Sequence, residues 1–368
     1  MKVLHIITRM NTGGPAVFLD HLTSAMNDLS TESTIAYGYC ESNETDYTEY
    51  HKLNADLINI NSLHRSLNPF HDLKSFIKIR KMIKEIKPDL VNTHTSKAGV
   101  LGRLAAKSVN NKLPVVHTFH GHLIYGYFAK YKTIVFTLVE RFLERFTNAA
   151  ISITSETQNS LQRLKIGKNL RWEVVHLGIP IDKNPVNSIN SSEKIKLLWV
   201  GRFTRIKDPS YAVKVLNKLE NLSPGEYELL MVGGGELLNG IKQEAMHLPI
   251  TFTDWIEEPF KKINCFDLLL LTSINEGMGM VTLEAANLIR PTISRNVGGV
   301  KEFIADDKSG FLIDGGPEMM ALKILQLSRE DMYRVGLGAR DLLEKDFTDI
   351  KLAQKYNLIY QSLIRDFI

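Results

Sequence analysis

The chain has 368 residues, 44% hydrophobic and 23% charged, with a formal net charge of +4. That composition excludes disordered, collagen-like and coiled-coil chains, and no run approaches the ~18–20 apolar residues of a membrane-spanning helix. Two cysteines, Cys40 and Cys265, are too few for a disulfide framework or a cysteine zinc site, and the length predicts two domains of similar size.

The first predicted strand is Val3–Ile7. Its apolar run is short and interrupted by His5, Thr8 and Arg9, so MKVLHII does not read as a signal peptide and a cytoplasmic protein is expected. Thr12-Gly13-Gly14-Pro15 follows it. With no G-x-G-x-x-G, a nicotinamide cofactor is poorly supported. A tight turn and a backbone approach to a phosphate or acceptor both fit. Strands Thr34–Cys40 and Asp56–Ile60 come next, then the basic amphipathic helix Leu73–Lys87. On it Phe76, Ile79, Ile83 and Ile86 share a face opposite Lys74, Lys78 and Lys81. It reads either as a surface helix or as one docking on anionic lipid, a peripheral contact on the inner face of the membrane. Strands Asp89–Thr93 and Val115–Phe119 lead into His117-Thr118-Phe119-His120-Gly121-His122. Zinc lacks a suitably spaced carboxylate or cysteine there. Hydrogen bonding to a sugar suits His120 and His122 better, and His117 reads as packed. Strands Ala150–Thr154 and Trp172–His176 close the half.

Residues 1–180 hold 22 Lys and Arg against 15 Asp and Glu, whereas residues 181–368 hold 23 against 26. The basic half suits an anionic partner such as a phospholipid surface. No nucleic-acid recognition motif is present, so nucleic acid is not expected. Residues 181–193, rich in Pro, Asn and Ser, read as a linker.

The second half repeats the β–α rhythm. Strand Lys196–Gly201 ends in Gly201-Arg202-Phe203-Thr204-Arg205-Ile206-Lys207, whose cations suit a diphosphate. Strands Glu228–Gly233, Ile250–Phe252 and Leu268–Thr272 follow. The last runs into Asn275-Glu276-Gly277-Met278-Gly279-Met280, then a helix carrying Glu284. Glycines at such a turn admit a ligand to the backbone, and helix-opening amides favour an anion. Glu284, about one turn further in, is placed to accept hydrogen bonds from sugar or ribose hydroxyls. Strands Pro291–Ser294 and Gly310–Ile313 complete the pattern. Continuous apolar strands alternating with helices predict parallel α/β sheets covered on both faces. Two doubly wound, Rossmann-like domains are expected: residues 1–180 on the acceptor side and 194–349 on the nucleotide side.

There is no D-x-D, no P-loop and no G-x-S-x-G elbow. The spacing E-x7-E at Glu276 and Glu284, with GRFTRIK at 201–207, NVGGVKEFI at 296–304, the early Gly-Gly and HTFHGH, resembles the retaining glycosyltransferases of family 4 (group 1 glycosyltransferases). The resemblance implies a GT-B fold, its two domains facing across a cleft, with helix 350–368 packed back on the first. It implies a metal-independent hexosyl- or N-acetylhexosaminyltransferase without a cofactor, its donor a UDP-sugar and its acceptor a lipid-linked or polysaccharide glycan of surface glycan, lipopolysaccharide or capsule biosynthesis. Carried over by position, Arg202 and Lys207 bind the diphosphate and Glu284 the ribose. Glu276 and the backbone of Gly277, Met278, Gly279 and Met280 hold sugar and phosphate. His120 reaches the sugar, Gly14 closes over the phosphate or acceptor, and the base lies by Trp255. A nucleotide-sugar epimerase of related fold and a non-catalytic nucleotide-sugar-binding subunit are the alternatives.

Overall fold

The computed structural model describes residues 1–41, 44–121, 130–185, 192–256, 258–263 and 265–367. It divides into two compact units, the first holding the described residues up to Pro180 together with those from Thr348 onward, the second running from Ile181 to Phe347.

In the first unit the order is β1 Lys2–Ile7, α1 Gly14–Asn27, β2 Glu32–Gly38, β3 Asp56–Ile60, α2 Pro69–Ile86, β4 Leu90–His94, α3 Ser96–Val109, β5 Val115–Phe119, α4 Lys130–Leu143, β6 Ala149–Ser152, α5 Ser155–Arg163 and β7 Arg171–Val174. In the second unit it is β8 Ile195–Val200, α6 Pro209–Leu222, β9 Tyr227–Val232, α7 Leu238–Glu244, β10 Ile250–Thr253, α8 Pro259–Lys262, β11 Leu268–Leu271, α9 Met280–Asn287, β12 Thr292–Arg295, β13 Phe311–Ile313, α10 Pro317–Leu325 and α11 Arg329–Asp346. Helix α12, Asp349–Arg365, returns to the first unit.

Both sheets are parallel, with strand orders β3-β2-β1-β4-β5-β6-β7 and β10-β9-β8-β11-β12-β13. Every strand expected from sequence appears, its ends shifted by no more than two residues. Each order reverses once, between β1 and β4 and between β8 and β11. Loops leaving neighbouring strands diverge there, which opens a crevice at the strand carboxyl ends.

Alternate residues explain the continuous apolar runs. In β8, Leu197 and Trp199 pack with Leu216 and Met320 on one face. Leu198 packs with Phe260 and Ala285 on the other. In the first unit, Leu4, Ile6 and Val91 meet Ile79 and Ile83 of α2, with Phe76 and Ile86 packed alongside. That corrects the lipid-docking reading of α2, because the apolar face invoked for it is spent on the protein core. Asn68 caps α2 by accepting from the amides of Phe70 and His71. Helix α12 packs on α1 and reaches the sheet through Tyr360, whose hydroxyl accepts from Asn92 Nδ2 at 2.5 Å.

Of the expected linker, Asp182 is held inside the second unit. Its amide donates to Asn287 Oδ1 at 3.0 Å and its carbonyl accepts from Arg340 Nη2 at 2.5 Å. Residues 186–191 lie outside the described residues.

Candidate functional site

In the second unit the loops after β8 and β11 are knitted together at the switch point. Trp199 Nε1 donates to Thr272 Oγ1 at 2.9 Å, and that hydroxyl donates to the Lys207 carbonyl at 2.9 Å. The Ile274 amide donates to the Ile206 carbonyl at 2.8 Å. These bonds fix the backbone that carries Lys207 against the backbone that carries Glu276. Their side chains form an ion pair, and Ser273 Oγ donates to the same Glu276 oxygen at 2.9 Å. The Glu276 carbonyl accepts from the Gly299 amide at 3.1 Å. At Gly298 a Cβ would lie 1.9 Å from that carbonyl, and φ is +55°, so only glycine lets the NVGG loop cradle Glu276.

Met278 is fully buried, leaving its backbone rather than its side chain to face a ligand. Gly279 precedes α9 and provides no side-chain cap; the Thr282 amide donates back to the Gly279 carbonyl, and the Met280 and Val281 amides open the helix without a cap. Glu284 lies one turn in, where desolvation raises its carboxyl to about 7. Arg202 sits one residue past Gly201, exposed and outside the Lys207–Glu276 pair. Trp255 is also exposed, and its indole Nε1 lies 3.2 Å from where a Gly234 Cβ would be.

In the first unit Gly14 opens α1. It is exposed, with no atom within 4 Å of the position a Cβ would take, so the unit itself sets no steric requirement for glycine there. After β4, the neighbour of β1 at the switch point, Thr95 holds φ +63° and ψ 159° and shares a 2.7 Å hydrogen bond with Thr8 Oγ1. A non-glycine residue in that region costs on the order of 1–3 kcal/mol, strain that marks candidate sites.

His120 ends a row of imidazoles. His94 Nδ1 lies 2.9 Å from His120 Nε2, and His94 Nε2 lies 3.2 Å from His5 Nδ1. Burial pushes His5 and His120 down to about 3 and His94 well below its ordinary value, so all three are neutral near pH 7. His5 Nε2 is buried without a partner. A proton there would be an unsatisfied buried donor, which is costly. The His5 proton therefore belongs on Nδ1, directed at His94. His94 then donates from Nδ1 to His120 Nε2, and His120 is left with an Nδ1–H to offer outward. His117 is packed instead, its Nδ1 2.8 Å from Thr93 Oγ1. His122 lies outside the described residues.

Three groups around these residues escaped sequence reasoning. His5 and His94 sit on strands far apart in sequence. Arg295, at the end of β12, bonds Asp208 Oδ2 at 3.1 Å and the Thr272 carbonyl at 3.3 Å. Gly233, at the end of β9, has φ +131° and would place a Cβ 2.0 Å from the Gly201 carbonyl. A cation or glycine at a strand's carboxyl end was the available signal for the last two.

A family model described as Glycosyl transferases group 1 matches residues 194–330, and one described as Glycosyltransferase Family 4 matches residues 12–183. The chain is 29% identical over 270 residues, 69% of each protein, to the UDP-Gal:alpha-D-GlcNAc-diphosphoundecaprenol alpha-1,3-galactosyltransferase of Escherichia coli. It is 23% identical over 343 residues, 88% of this chain and 89% of the relative, to the capsular polysaccharide biosynthesis glycosyltransferase CapM of Staphylococcus aureus. The solved structure of Anabaena HepE in complex with UDP superposes with a TM-score of 0.79 at 18% identity, covering 98% of this chain and 100% of that one.

Proposed function

Since the chain belongs to the group 1 glycosyltransferases and has their two-domain GT-B fold, we propose that it transfers a hexosyl or N-acetylhexosaminyl group, with retention, from a UDP-sugar to a lipid-linked or polysaccharide acceptor in surface glycan assembly. The observation that carries the reading is the meeting of Lys207, Glu276 and the start of α9 at the β8/β11 switch point. The named specificity of the E. coli relative favours a diphospholipid-linked acceptor.

Charge sets the proposed chemistry. The anomeric C–O bond breaks and its electron pair leaves with UDP, while the sugar becomes oxocarbenium-like. Fixed donors aimed at the growing negative charge lower the barrier. Arg202, Lys207 and the α9 amides serve that purpose in this reading, without a divalent cation. The acceptor hydroxyl attacks the same face, and its proton passes to the departing phosphate oxygen. Glu276 holds the sugar and Glu284 the ribose. The Nδ1–H of His120 meets the donor sugar, Gly14 gives phosphate or acceptor room, and Trp255 lies by the base.

A UDP-sugar panel with extracted lipid-linked acceptors tests this. One donor is expected to be turned over in the presence of EDTA, and Lys207→Ala is expected to lower kcat at least 100-fold with UDP binding weakened. Gly14→Ala is expected to cut turnover at unchanged melting temperature. Full turnover by Lys207→Ala would overturn the site assignment.

A further inference from the structure

One residue separates Lys207 from helix α6, and its backbone is strained. The Thr204 carbonyl accepts from the amides of Lys207 and Asp208 at 3.1 and 3.3 Å, which closes a turn. The Asp208 carbonyl accepts from the Tyr211 amide at 3.1 Å, which opens the helix. Asp208 joins the two at φ +48° and ψ 60°. That left-handed conformation is unfavourable for any residue with a Cβ, least so for Asn and Asp, whose side chains can bond locally. Asp208 does not use that escape, because its side chain makes no cap bond to α6. Pro209, Tyr211, Ala212 and Val213 anchor the start of α6 in the core. Any relaxation at Asp208 is therefore taken up by the turn that carries Lys207.

What holds Asp208 comes from another strand. Arg295, at the carboxyl end of β12, donates from Nη1 to Asp208 Oδ2 at 3.1 Å and to the Thr272 carbonyl at 3.3 Å. Thr272, just beyond β11, is the residue whose hydroxyl donates to the Lys207 carbonyl at 2.9 Å. Thr272 thus grips Lys207 directly and Asp208 through Arg295. The guanidinium lies over the Tyr211 ring, 4.9 Å from its centroid, and the Tyr211 hydroxyl donates to the Gly315 carbonyl at 3.2 Å. The Arg295 and Asp208 side chains are only 24% and 28% exposed, so water screens their attraction less than it does on an open surface. A planar guanidinium bridges two acceptors and stacks on a ring at once, which an ammonium does less well. Asp208 also neutralises Arg295, and Nη1 is directed at protein acceptors. Both features suit a group that holds the loop rather than one that binds an anion itself.

We propose that Arg295 is a positioning residue: by holding Asp208 in its left-handed conformation, it fixes the turn that aims Lys207 at the donor diphosphate. It acts through Asp208 and makes no contact of its own with the donor. The inference rests on the function proposed above, in which Lys207 binds the diphosphate.

Calorimetry of the full chain with UDP and with uridine tests it, alongside kcat with the donor that the sugar panel returns. Uridine carries no phosphate, so general damage to the unit weakens both ligands, whereas a misplaced Lys207 weakens UDP alone. Arg295→Leu is expected to weaken UDP binding and to lower kcat, each about tenfold, with uridine affinity and the acceptor KM unchanged. Two double variants show how Arg295 acts. Glycine adopts the left-handed region without strain, so Arg295→Leu/Asp208→Gly is expected to regain UDP affinity to within about threefold of wild type. Lys207→Ala/Arg295→Leu is expected to bind UDP as Lys207→Ala does, because both changes remove the same contact. Equal weakening of UDP and uridine by Arg295→Leu would overturn the inference and leave the site assignment standing. So would wild-type UDP affinity in Arg295→Leu beside poor binding by Lys207→Ala. A further loss in the Lys207→Ala background, or no recovery with glycine at 208, would overturn it in favour of a direct contact between Arg295 and the anion. Wild-type UDP affinity and turnover in Lys207→Ala would remove the site assignment itself, and this inference with it.

Discussion

Desolvation holds the Glu284 carboxyl at about 7, so in the ligand-free protein it is partly protonated at neutral pH. Ribose hydroxyls that donate to it favour the carboxylate. UDP binding should therefore release a fraction of a proton near pH 7, and affinity should rise with pH up to that region. Calorimetry in two buffers of different ionisation enthalpy reads the release directly. Glu284→Gln is expected to abolish it and to weaken binding; an unchanged proton count in the variant would refute the role. The imidazole row makes a second prediction at this scale. Nitrogen NMR of selectively labelled histidine should show His120 protonated on Nδ1, and His5→Phe should mix its tautomers because His94 then loses the donor that orients it. A merely structural role for His5 would leave the His120 tautomer unmoved.

Between elements, the Arg103–Glu140 pair fixes which side of α4 faces the sheet. Glu140→Gln leaves a buried guanidinium without its counter-charge and is expected to cost about 3–5 kcal/mol in urea unfolding. Arg103→Met/Glu140→Leu should recover most of that, since two apolar groups restore neutrality. A full loss in the double variant would mean that volume, not charge, governs the site. This helix also shows where sequence stops being informative. The strands were legible because each is an apolar run covered on both faces, and α2 because Ile79 and Ile83 recur at helical spacing. In α4 the wider apolar arc, Tyr131 to Phe142, is the outward one, while Phe136 and Leu143 pack inward. Periodicity locates such an arc but does not say what lies beneath it. Glu276, Lys207 and the α9 glycines were readable because each sits just beyond a predicted strand. His5 and His94 were not, since their relation to His120 exists only once β1, β4 and β5 lie side by side.

The two units carry different titrating and binding groups, and this separates their responses. His5, His94 and His117 are fully buried in the first unit with lowered pKa values. Below about pH 6.5 the unfolded chain binds protons at these positions and the folded chain does not, so stability falls as pH falls. Each group steepens that slope by about 1.4 kcal/mol per pH unit until its folded pKa is reached. UDP, in the proposed reading, binds the second unit, and at 100 times its Kd adds about 2.7 kcal/mol there. Hydrogen exchange should resolve the two effects. Moving from pH 7.5 to 5.5, after correction for the intrinsic exchange rate, should lower protection in β1, β4 and β5, whereas UDP should raise it in β8, β11 and α9. Replacing His117 by Asn should soften the acid response without touching the UDP response. If UDP instead protected β1 and β4 while β8 and β11 stayed unchanged, the diphosphate would belong at the other switch point, with Gly14 and the strained Thr95.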